Sequence, residues 1–249
     1  MKKIFIALIV IVAIFAWSSS NKKEPEITIS TPNPTANDNQ SVTIDVDGVP
    51  MRVNWIEVDP EKLELYSNLS AKQTSAAIKV EKKCDVLVNG GFYSKENKHL
   101  GLLIRSPQTI SPAIESSLFN GFLTIDSQAV ITTSAPITAR LAVQSGPIIV
   151  YKNEPRKLSI KNDEQARRVV AATTSDGKLL FLAIHRKSSE FQGPYLEELP
   201  KIIQSFNNSS NIKIVDAINL DGGSASTFNT DSLNLPERTQ IGSYFCEVK

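Results

Sequence analysis

One carboxylate at the end of an apolar segment is the side chain in this sequence best placed to do chemistry. Asp221 follows the run 218–220 and precedes Gly222, Gly223 and Ser224. A carboxylate can act as a base or a nucleophile, glycines let backbone N–H groups approach a ligand, and small hydroxyls add donors. The pattern predicts a functional loop at a strand end. An aspartate before glycines also often caps a turn through its own backbone, and this is the alternative.

A similar arrangement occurs after the apolar run 86–88. Asn89, Gly90, Gly91 and Phe92 follow that run. We expect Asn89 to hydrogen-bond a ligand, the glycine pair to allow close approach, and Phe92 to offer a stacking face. The alternatives are an ordinary Asn-Gly turn and an aromatic residue of the core.

Two other strand ends carry polar or charged residues. Ser145 and Gly146 end one apolar run, and Arg168 stands immediately before another. A guanidinium binds a phosphate through two parallel donors, which makes Arg168 a candidate for binding an anionic ligand. The alternative for Arg168 is a structural ion pair with Asp163 or Glu164.

The composition limits the classes of function. The chain has 249 residues, of which 41% are hydrophobic and 21% charged, enough for one large globular domain or two small ones. Its formal net charge of +1 and scattered basic residues argue against a nucleic-acid partner. The two histidines fit neither a zinc finger nor a metalloprotease helix. Calcium or magnesium would suit Asp221 with neighbouring carbonyl oxygens, but no spacing requires a metal.

The amino terminus differs in composition from the rest of the chain. Two lysines precede an uncharged run, 4–17, and three serines. This pattern predicts a signal peptide or an N-terminal membrane anchor over residues 1–20. Residues 21–41, with three prolines and many polar residues, are predicted to form a flexible tether, and the folded domain is predicted to cover 42–249. We therefore expect an extracytoplasmic location, with a membrane tether through the amino terminus in the case that the segment is an anchor.

The two cysteines, Cys84 and Cys246, lie far apart in the sequence. Outside the cytoplasm such a pair can be oxidised, and these two would close a very long loop if their strands are neighbours. Two small buried thiols are the alternative.

Short apolar segments separated by turn residues dominate the folded part. They predict strands at 42–46, 51–58, 63–66, 85–89, 101–104, 121–125, 129–132, 141–144, 148–151, 169–174, 179–184, 212–220 and 243–248. Helices are predicted over 70–82, with Ser70 as the cap, and over 195–206, where Pro200 should kink the helix or mark a boundary. The fold class is therefore predicted as α+β, a single domain with a mixed, mainly antiparallel twisted β-sheet flanked by a few helices.

Four motifs in order resemble the phosphodiester glycosidase family. They are NGGFY from Asn89, AVQSGP from Ala142, an arginine eight residues before the aspartate of a DGK turn, and NLDGG from Asn219. The resemblance covers about residue 55 to the carboxyl terminus. The sequence departs from the family pattern at Ser224 and Ala172, where the family commonly has glycine.

The resemblance implies hydrolysis of the glycosidic bond of a sugar-1-phosphodiester, which releases the sugar and a phosphate monoester. A phosphate leaving group needs stabilisation by cations and N–H donors more than it needs protonation. The implied catalytic residues are Asp221, Arg168 and Asn89. The implied substrate-binding residues are Gly90, Gly91, Phe92, Ser145, Gly146, Asn219, Gly222, Gly223 and Ser224.

The expected partner is a phosphorylated carbohydrate or an envelope glycopolymer. A different class of function is also open, namely a non-catalytic envelope protein that binds carbohydrate or phosphate. In that protein the glycine loops would still hold a ligand, and Asp221 would do no chemistry.

Overall fold

The computed structural model describes residues 40–248, which contain seventeen β-strands and two α-helices. The strands are β1 Gln40–Val46, β2 Val49–Val58, β3 Leu63–Ser67, β4 Cys84–Asn89, β5 Leu103–Arg105, β6 Gln108–Ser111, β7 Gly121–Ile125, β8 Ala129–Thr132, β9 Leu141–Ser145, β10 Ile148–Tyr151, β11 Glu154–Pro155, β12 Arg168–Thr174, β13 Leu179–Arg186, β14 Ile214–Asn219, β15 Phe228–Asn229, β16 Asn234–Leu235 and β17 Ser243–Val248. The helices are α1 Ser75–Lys82 and α2 Leu199–Ser209. The predicted signal or anchor segment, and all but the last two residues of the predicted tether, lie outside the described residues.

The described strands form three sheets. The largest has the order β1-β2-β13-β12-β14-β10-β11, the second has the order β16-β15-β4-β17-β3, and the third has the order β6-β5-β9-β7-β8. Neighbouring strands are antiparallel in each of them. The predominance of antiparallel strands agrees with the sequence prediction, but the strands are divided among three sheets instead of one mixed sheet.

The central strands of the largest sheet are buried on both faces. In β12, Val169 and Ala171 point into the core shared by the three sheets, whereas Val170 and Ala172 point into a second core on the opposite face. Because side chains alternate along a strand, only an uninterrupted apolar run can fill both cores. Ala172, one of the two departures from the family pattern, is therefore a fully buried core residue.

The second core is closed by α2. Leu199, Ile202, Ile203 and Phe206 are each fully buried along one face of this helix. The Phe206 ring meets Trp55 of β2 edge-on, with 5.0 Å between ring centroids. The prediction for Pro200 is confirmed, since the proline lies in the first turn and marks the start of the α-helix, where its missing N–H costs nothing.

The first helix is shorter than predicted, because it begins at Ser75 with Thr74 as its cap and not with Ser70. The side-chain oxygen of Asn68 accepts the Gln73 N–H at 3.0 Å, and its amide donates to the Gln73 carbonyl at 2.9 Å. These hydrogen bonds hold residues 68–73 as a loop, which leaves the Thr74 hydroxyl to accept the N–H of Ala77 at 3.3 Å.

The two cysteines form a disulfide, which settles the alternatives left open by the sequence. Cys84 and Cys246 lie on the neighbouring strands β4 and β17, with their Cα atoms 5.3 Å apart. Both are buried beneath α1, next to Ile78 and Leu87. The bond joins positions 162 residues apart and ties the last strand to the rest of its sheet.

Most predicted strands are present within one or two residues, and the Asp47-Gly48 hairpin is confirmed. The prediction missed β6, β11, β15 and β16, which have two to four residues each. Strands this short are too brief to show a clear alternation of apolar and polar residues. Within residues 40–248, no helix is long and apolar enough to span a membrane.

Removal of the disulfide is expected to destabilise the domain substantially. Because the bond closes a loop of 162 residues, the double variant Cys84→Ala, Cys246→Ala should lose about 3–5 kcal/mol of unfolding free energy. Urea denaturation of the variant and the parent, both under oxidising conditions, measures the difference. Equal denaturation midpoints would contradict the assignment.

Candidate active site

The candidate site lies where one strand from each of the three sheets ends. Asn219 ends β14 of the largest sheet, Asn89 ends β4 of the second, and Ser145 ends β9 of the third. Hydrogen bonds join the end of β14 to the end of β9, and Asp221, two residues after β14, to the end of β4. Antiparallel pairing also brings the start of β12, at Arg168, to this end of β14. The structure therefore brings all four sequence motifs together.

The Asn219 peptide joins the first and third sheets. Its carbonyl oxygen accepts the Ser145 hydroxyl at 2.7 Å and the Gly146 N–H at 3.0 Å. Its side-chain amide donates to the Gly146 carbonyl at 2.9 Å. Asn219, Ser145 and the Gly146 backbone are thus bonded to one another, and Asn219 and Ser145 are at most 1% exposed. Sequence analysis assigned these residues to substrate binding, and the structure gives each of them a structural role.

Asn89 makes the corresponding connection between the second sheet and the loop that carries Asp221. Its amide donates to the Asp221 carbonyl at 2.6 Å, and its side-chain oxygen accepts the Thr227 N–H at 2.9 Å. The Asp221 N–H donates to the Gly90 carbonyl at 3.0 Å. Asn89 therefore fixes the backbone on both sides of the 222–226 turn. Asn89 is 1% exposed, so its side chain is a support for Asp221.

The glycines of the two glycine pairs differ in the space around them. A Cβ at Gly90 would lie 2.5 Å from the Ser243 hydroxyl oxygen, and one at Gly91 would lie 2.7 Å from a Val143 methyl. This pair makes room for the protein's own atoms, which differs from the expected approach of a ligand. At Gly223 the nearest atom outside its own backbone neighbours would be 3.8 Å away, and its φ of +65° favours glycine. A Cβ there would be in ordinary contact with the Ala166 methyl, and residues 221–223 are partly exposed.

The structure around position 146 also requires a glycine. A Cβ there would lie 2.2 Å from the Leu118 carbonyl oxygen, and φ is +153°. Phe92 is partly buried and packs on Phe119 with 4.7 Å between ring centroids. This contact gives Phe92 a packing role, and the stacking of a sugar on Phe92 stays a prediction.

Asp221 is the carboxylate on which the chemistry of this site depends. Burial raises the pKa of Asp221 to about 7, and the Gly222 N–H opposes this rise by favouring the charged form. Asp221 is only partly buried and the turn that follows it is partly exposed, so a ligand can reach a carboxyl group that is largely desolvated. A carboxyl group with a pKa near neutrality can take up or release a proton under ordinary conditions.

Tyr93 faces the same region. Burial and the negative charge of Asp221 both raise the pKa of the Tyr93 hydroxyl, and a hydrogen bond with the Thr239 side chain lowers it. The hydroxyl donates to the Gln240 carbonyl at 2.6 Å. Tyr93 therefore connects the Asp221 neighbourhood to residues 238–243, which sequence analysis did not identify as part of the site.

Residues 238–243 form the remaining wall. The N–H groups of Arg238 and Thr239 donate to the Ser224 carbonyl at 2.7 and 3.0 Å, and the Thr239 hydroxyl donates to that of Ser224 at 3.1 Å. At the other end, the Gly90 N–H donates to the Ser243 carbonyl at 2.7 Å. Ser224, one of the predicted binding residues, is exposed at the rim of this wall. No local sequence signal marks the segment, since it has no strand or glycine-pair pattern.

Arg168 carries a partly neutralised charge. One terminal nitrogen donates to Asp163 at 3.1 Å and also to the Glu164 carbonyl, while Nε donates to the Pro194 carbonyl at 3.2 Å. The other terminal nitrogen would lie 3.8 Å from a Cβ placed on Gly222, so the guanidinium borders the turn after Asp221. Burial lowers the pKa of Arg168, and Asp163 raises it. The ion-pair alternative is thus present, and a phosphate-binding role for Arg168 stays a prediction.

Arg167 is a fully buried arginine that sequence analysis did not single out. Its nitrogens donate to the Ser226 hydroxyl at 2.8 Å, to the carbonyls of Glu190 and Pro236 at 3.1 and 2.7 Å, and to the Ser226 carbonyl. Burial lowers the pKa of Arg167 to about 10, so the cation persists at neutral pH. Arg167 holds three separate loops around the site.

The histidines and the clefts do not add to the site. His185 is buried, with its ring nitrogens bonded to Asn54 and to the Arg186 carbonyl, and His99 is bonded to Ser67. A cleft of about 580 Å³ lies between α1 and residues 229–234, and one of about 590 Å³ lies beside residues 57–62. Neither is lined by a candidate site residue. Among residues 40–248 no three His, Cys, Asp or Glu side chains are grouped to hold a metal.

A known protein family matches this chain over all four sequence motifs. The family model for phosphodiester glycosidases matches residues 82–245, which include Asn89, Ser145, Arg168 and Asp221. This chain belongs to the phosphodiester glycosidase family. No curated protein matches the sequence significantly.

Two solved structures show that the fold is shared with distant proteins. A hypothetical protein from Synechocystis is 13% identical with a TM-score of 0.65, and the match covers 84% of this chain and 61% of that one. This chain thus spans 61% of the length of the Synechocystis protein.

The second is the catalytic domain of zebrafish N-acetylglucosamine-1-phosphodiester alpha-N-acetylglucosaminidase, auto-inhibited by its pro-peptide. It is 14% identical with a TM-score of 0.63, over 88% of this chain and 85% of that one. At these identities the likeness establishes the phosphodiester glycosidase fold.

The role of Arg167 gives a prediction that separates it from surface arginines. Arg167→Lys should lower the unfolding free energy by about 2–4 kcal/mol, because an ammonium group cannot serve all the acceptors of the guanidinium and leaves buried carbonyls unpaired. Urea denaturation measures the loss. Arg156→Lys is the control, since Arg156 is exposed, and its midpoint should not move. An equally small effect at Arg167 would refute the structural role.

Proposed function

We propose that this chain is a hydrolase that cleaves the glycosidic bond of a sugar-1-phosphodiester, releasing the sugar and a phosphate monoester. Family membership supports a phosphodiester glycosidase. The observation that carries the proposal is the position of Asp221, a partly exposed residue where the three sheets meet, whose desolvated carboxyl group has a pKa of about 7. Cleavage of a sugar-1-phosphodiester is a more specific claim than membership of the family.

The proposed reaction breaks the bond between the anomeric carbon and the bridging phosphate oxygen. The phosphate leaves with the bonding electron pair as a stable anion, so it needs no general acid. Ionised Asp221 either takes a proton from the attacking water or attacks the anomeric carbon itself, after which water releases the sugar. Asn89 and the Gly90 carbonyl hold the Asp221 backbone in place for either route.

The location of the protein is part of the proposal. The disulfide between Cys84 and Cys246 supports an oxidising compartment. The amino-terminal sequence, with two lysines before an uncharged run, supports export or anchoring at the outer face of the membrane. We therefore propose an extracytoplasmic enzyme that acts on a phosphorylated carbohydrate or an envelope glycopolymer.

Sugar release from a panel of sugar-1-phosphodiesters tests the proposal. The full chain should release reducing sugar from at least one member, and Asp221→Asn should lower kcat by roughly 10²- to 10⁴-fold, the range for loss of a positioned acid–base group. Parallel assays with calcium, with magnesium and with a chelator determine any metal requirement. Asp47→Asn, at an exposed hairpin turn, is the matched control and should keep full activity.

Binding without release from any member would favour the non-catalytic alternative, a protein that binds carbohydrate or phosphate. Full activity in Asp221→Asn would show that a different residue does the chemistry.

The pH dependence of stability gives an independent test of the Asp221 environment. The pKa of Asp221 is raised in the folded state from 3.8 to about 7, so ionisation above that range opposes folding. Asp221→Asn should therefore be more stable than the parent at pH 8, by on the order of 2 kcal/mol after allowance for partial exposure. Urea denaturation at several pH values should show the difference shrinking towards pH 4. A variant less stable than the parent at pH 8 would contradict the burial argument.

The pH dependence of turnover follows from the same group. Because the base or nucleophile must be ionised, kcat/KM should rise with pH through an apparent pKa near 7. A rate that falls through this range would instead indicate that Asp221 works as an acid.

A further inference from the structure

We propose that Ser224, Arg238 and Thr239 form the subsite that holds the phosphate of the substrate, with Arg238 as its cation. The inference rests on the proposed function and extends it to residues outside the four sequence motifs. The three residues are exposed and adjacent at the rim of the turn that follows Asp221. We call them the rim cluster.

The rim cluster is held in place by backbone and side-chain hydrogen bonds. The Ser224 carbonyl accepts the N–H groups of both Arg238 and Thr239, at 2.7 and 3.0 Å. The Ser224 and Thr239 hydroxyls are 3.1 Å apart. The Thr239 side chain also lies at the hydroxyl of Tyr93, and the negative charge of Asp221 raises the pKa of that hydroxyl. The cluster is therefore connected to the catalytic carboxyl through one tyrosine.

Arg238 differs from the other two arginines in how its charge is used. Arg167 is fully buried and donates to the carbonyls of Glu190 and Pro236, and Arg168 forms a largely buried ion pair with Asp163. Arg238 has no ion pair within residues 40–248, and its guanidinium lies over the Phe191 ring at 4.0 Å from the ring centroid. A guanidinium stacked on a ring keeps its N–H donors at the edge, where they can bind an anion.

The chemistry of the rim cluster suits a phosphate. One cation with planar donors and two hydroxyls can bind several phosphate oxygens at once. A phosphate bound here would lie beside the partly exposed turn that follows Asp221, the residue that carries the proposed nucleophile or base. The positive charge would also stabilise the leaving phosphate as its negative charge develops.

Phosphate binding can be measured without turnover, which keeps this inference separate from the proposed function. Binding of inorganic phosphate to the full chain, followed by ³¹P NMR or calorimetry, should weaken roughly 10- to 100-fold in Arg238→Gln, the range for loss of one charged hydrogen-bonding partner. Binding should also weaken as salt is added, because the site is exposed. Arg156→Gln is the matched control, since Arg156 is also exposed and also stacks on a ring, that of Tyr151 at 5.2 Å.

A second comparison uses the substrate that the parent protein cleaves. Arg238→Gln should raise KM or lower kcat for the sugar phosphodiester, while cleavage of an uncharged aryl glycoside of the same sugar should change little. Arg238→Lys should retain part of the activity because it keeps the charge. Arg168→Gln should instead lower the urea midpoint, because it breaks the contacts with Asp163 and Pro194.

The possible outcomes test the phosphate subsite separately from the proposed hydrolase function. Unchanged phosphate binding in Arg238→Gln would overturn the subsite, even if the parent cleaves phosphodiesters. Weaker phosphate binding in that variant, with no phosphodiester cleaved by the parent, would support the subsite and count against the proposed function. Equal losses in Arg238→Gln and Arg156→Gln would show a nonspecific charge effect and would also overturn the subsite.

Discussion

The hydrogen bonds at the end of β14 are the interaction on which the rest of the site depends. The Asn219 carbonyl accepts donors from both Ser145 and Gly146, while the next residues of the chain are held by Asn89 and Gly90 of a different sheet. All of these groups are buried or lie within the peptide backbone, and an unpaired polar group there would cost about 1–3 kcal/mol. The ends of three sheets are therefore fixed relative to one another, and the turn that carries Asp221 has little freedom to move.

This arrangement explains why the polar residues of the four motifs divide into two kinds. Asn89, Ser145 and Asn219 are fully buried and bind the backbone of neighbouring strands. Asp221 lies where the same strands end and is partly exposed. The buried residues hold the backbone that carries Asp221, and burial of the carboxyl group is the cause of its raised pKa.

The sequence predicted the elements of this site better than their roles. The apolar runs before Asn89 and Asp221 identified both strand ends, since alternation and glycine pairs are local signals. Convergence of the strand ends depends on sheet order, which local patterns do not encode. The glycine pair at Gly90 was expected to let a ligand approach, whereas the space at Gly90 is filled by Ser243. The wall that contains Arg238 has no periodicity and could be found only from its contacts with Ser224. The roles of the arginines could not be predicted from local patterns either, because their partners are set by tertiary structure.

The central claim is that a phosphodiester-linked sugar binds with its anomeric carbon at Asp221. A crystal structure of the Asp221→Asn variant with an uncleaved sugar-1-phosphodiester tests this claim most directly. In that crystal structure we expect the anomeric carbon beside position 221 and the phosphate against Ser224 and Arg238. A ligand bound instead in the cleft between α1 and residues 229–234, with the turn at position 221 empty, would contradict it.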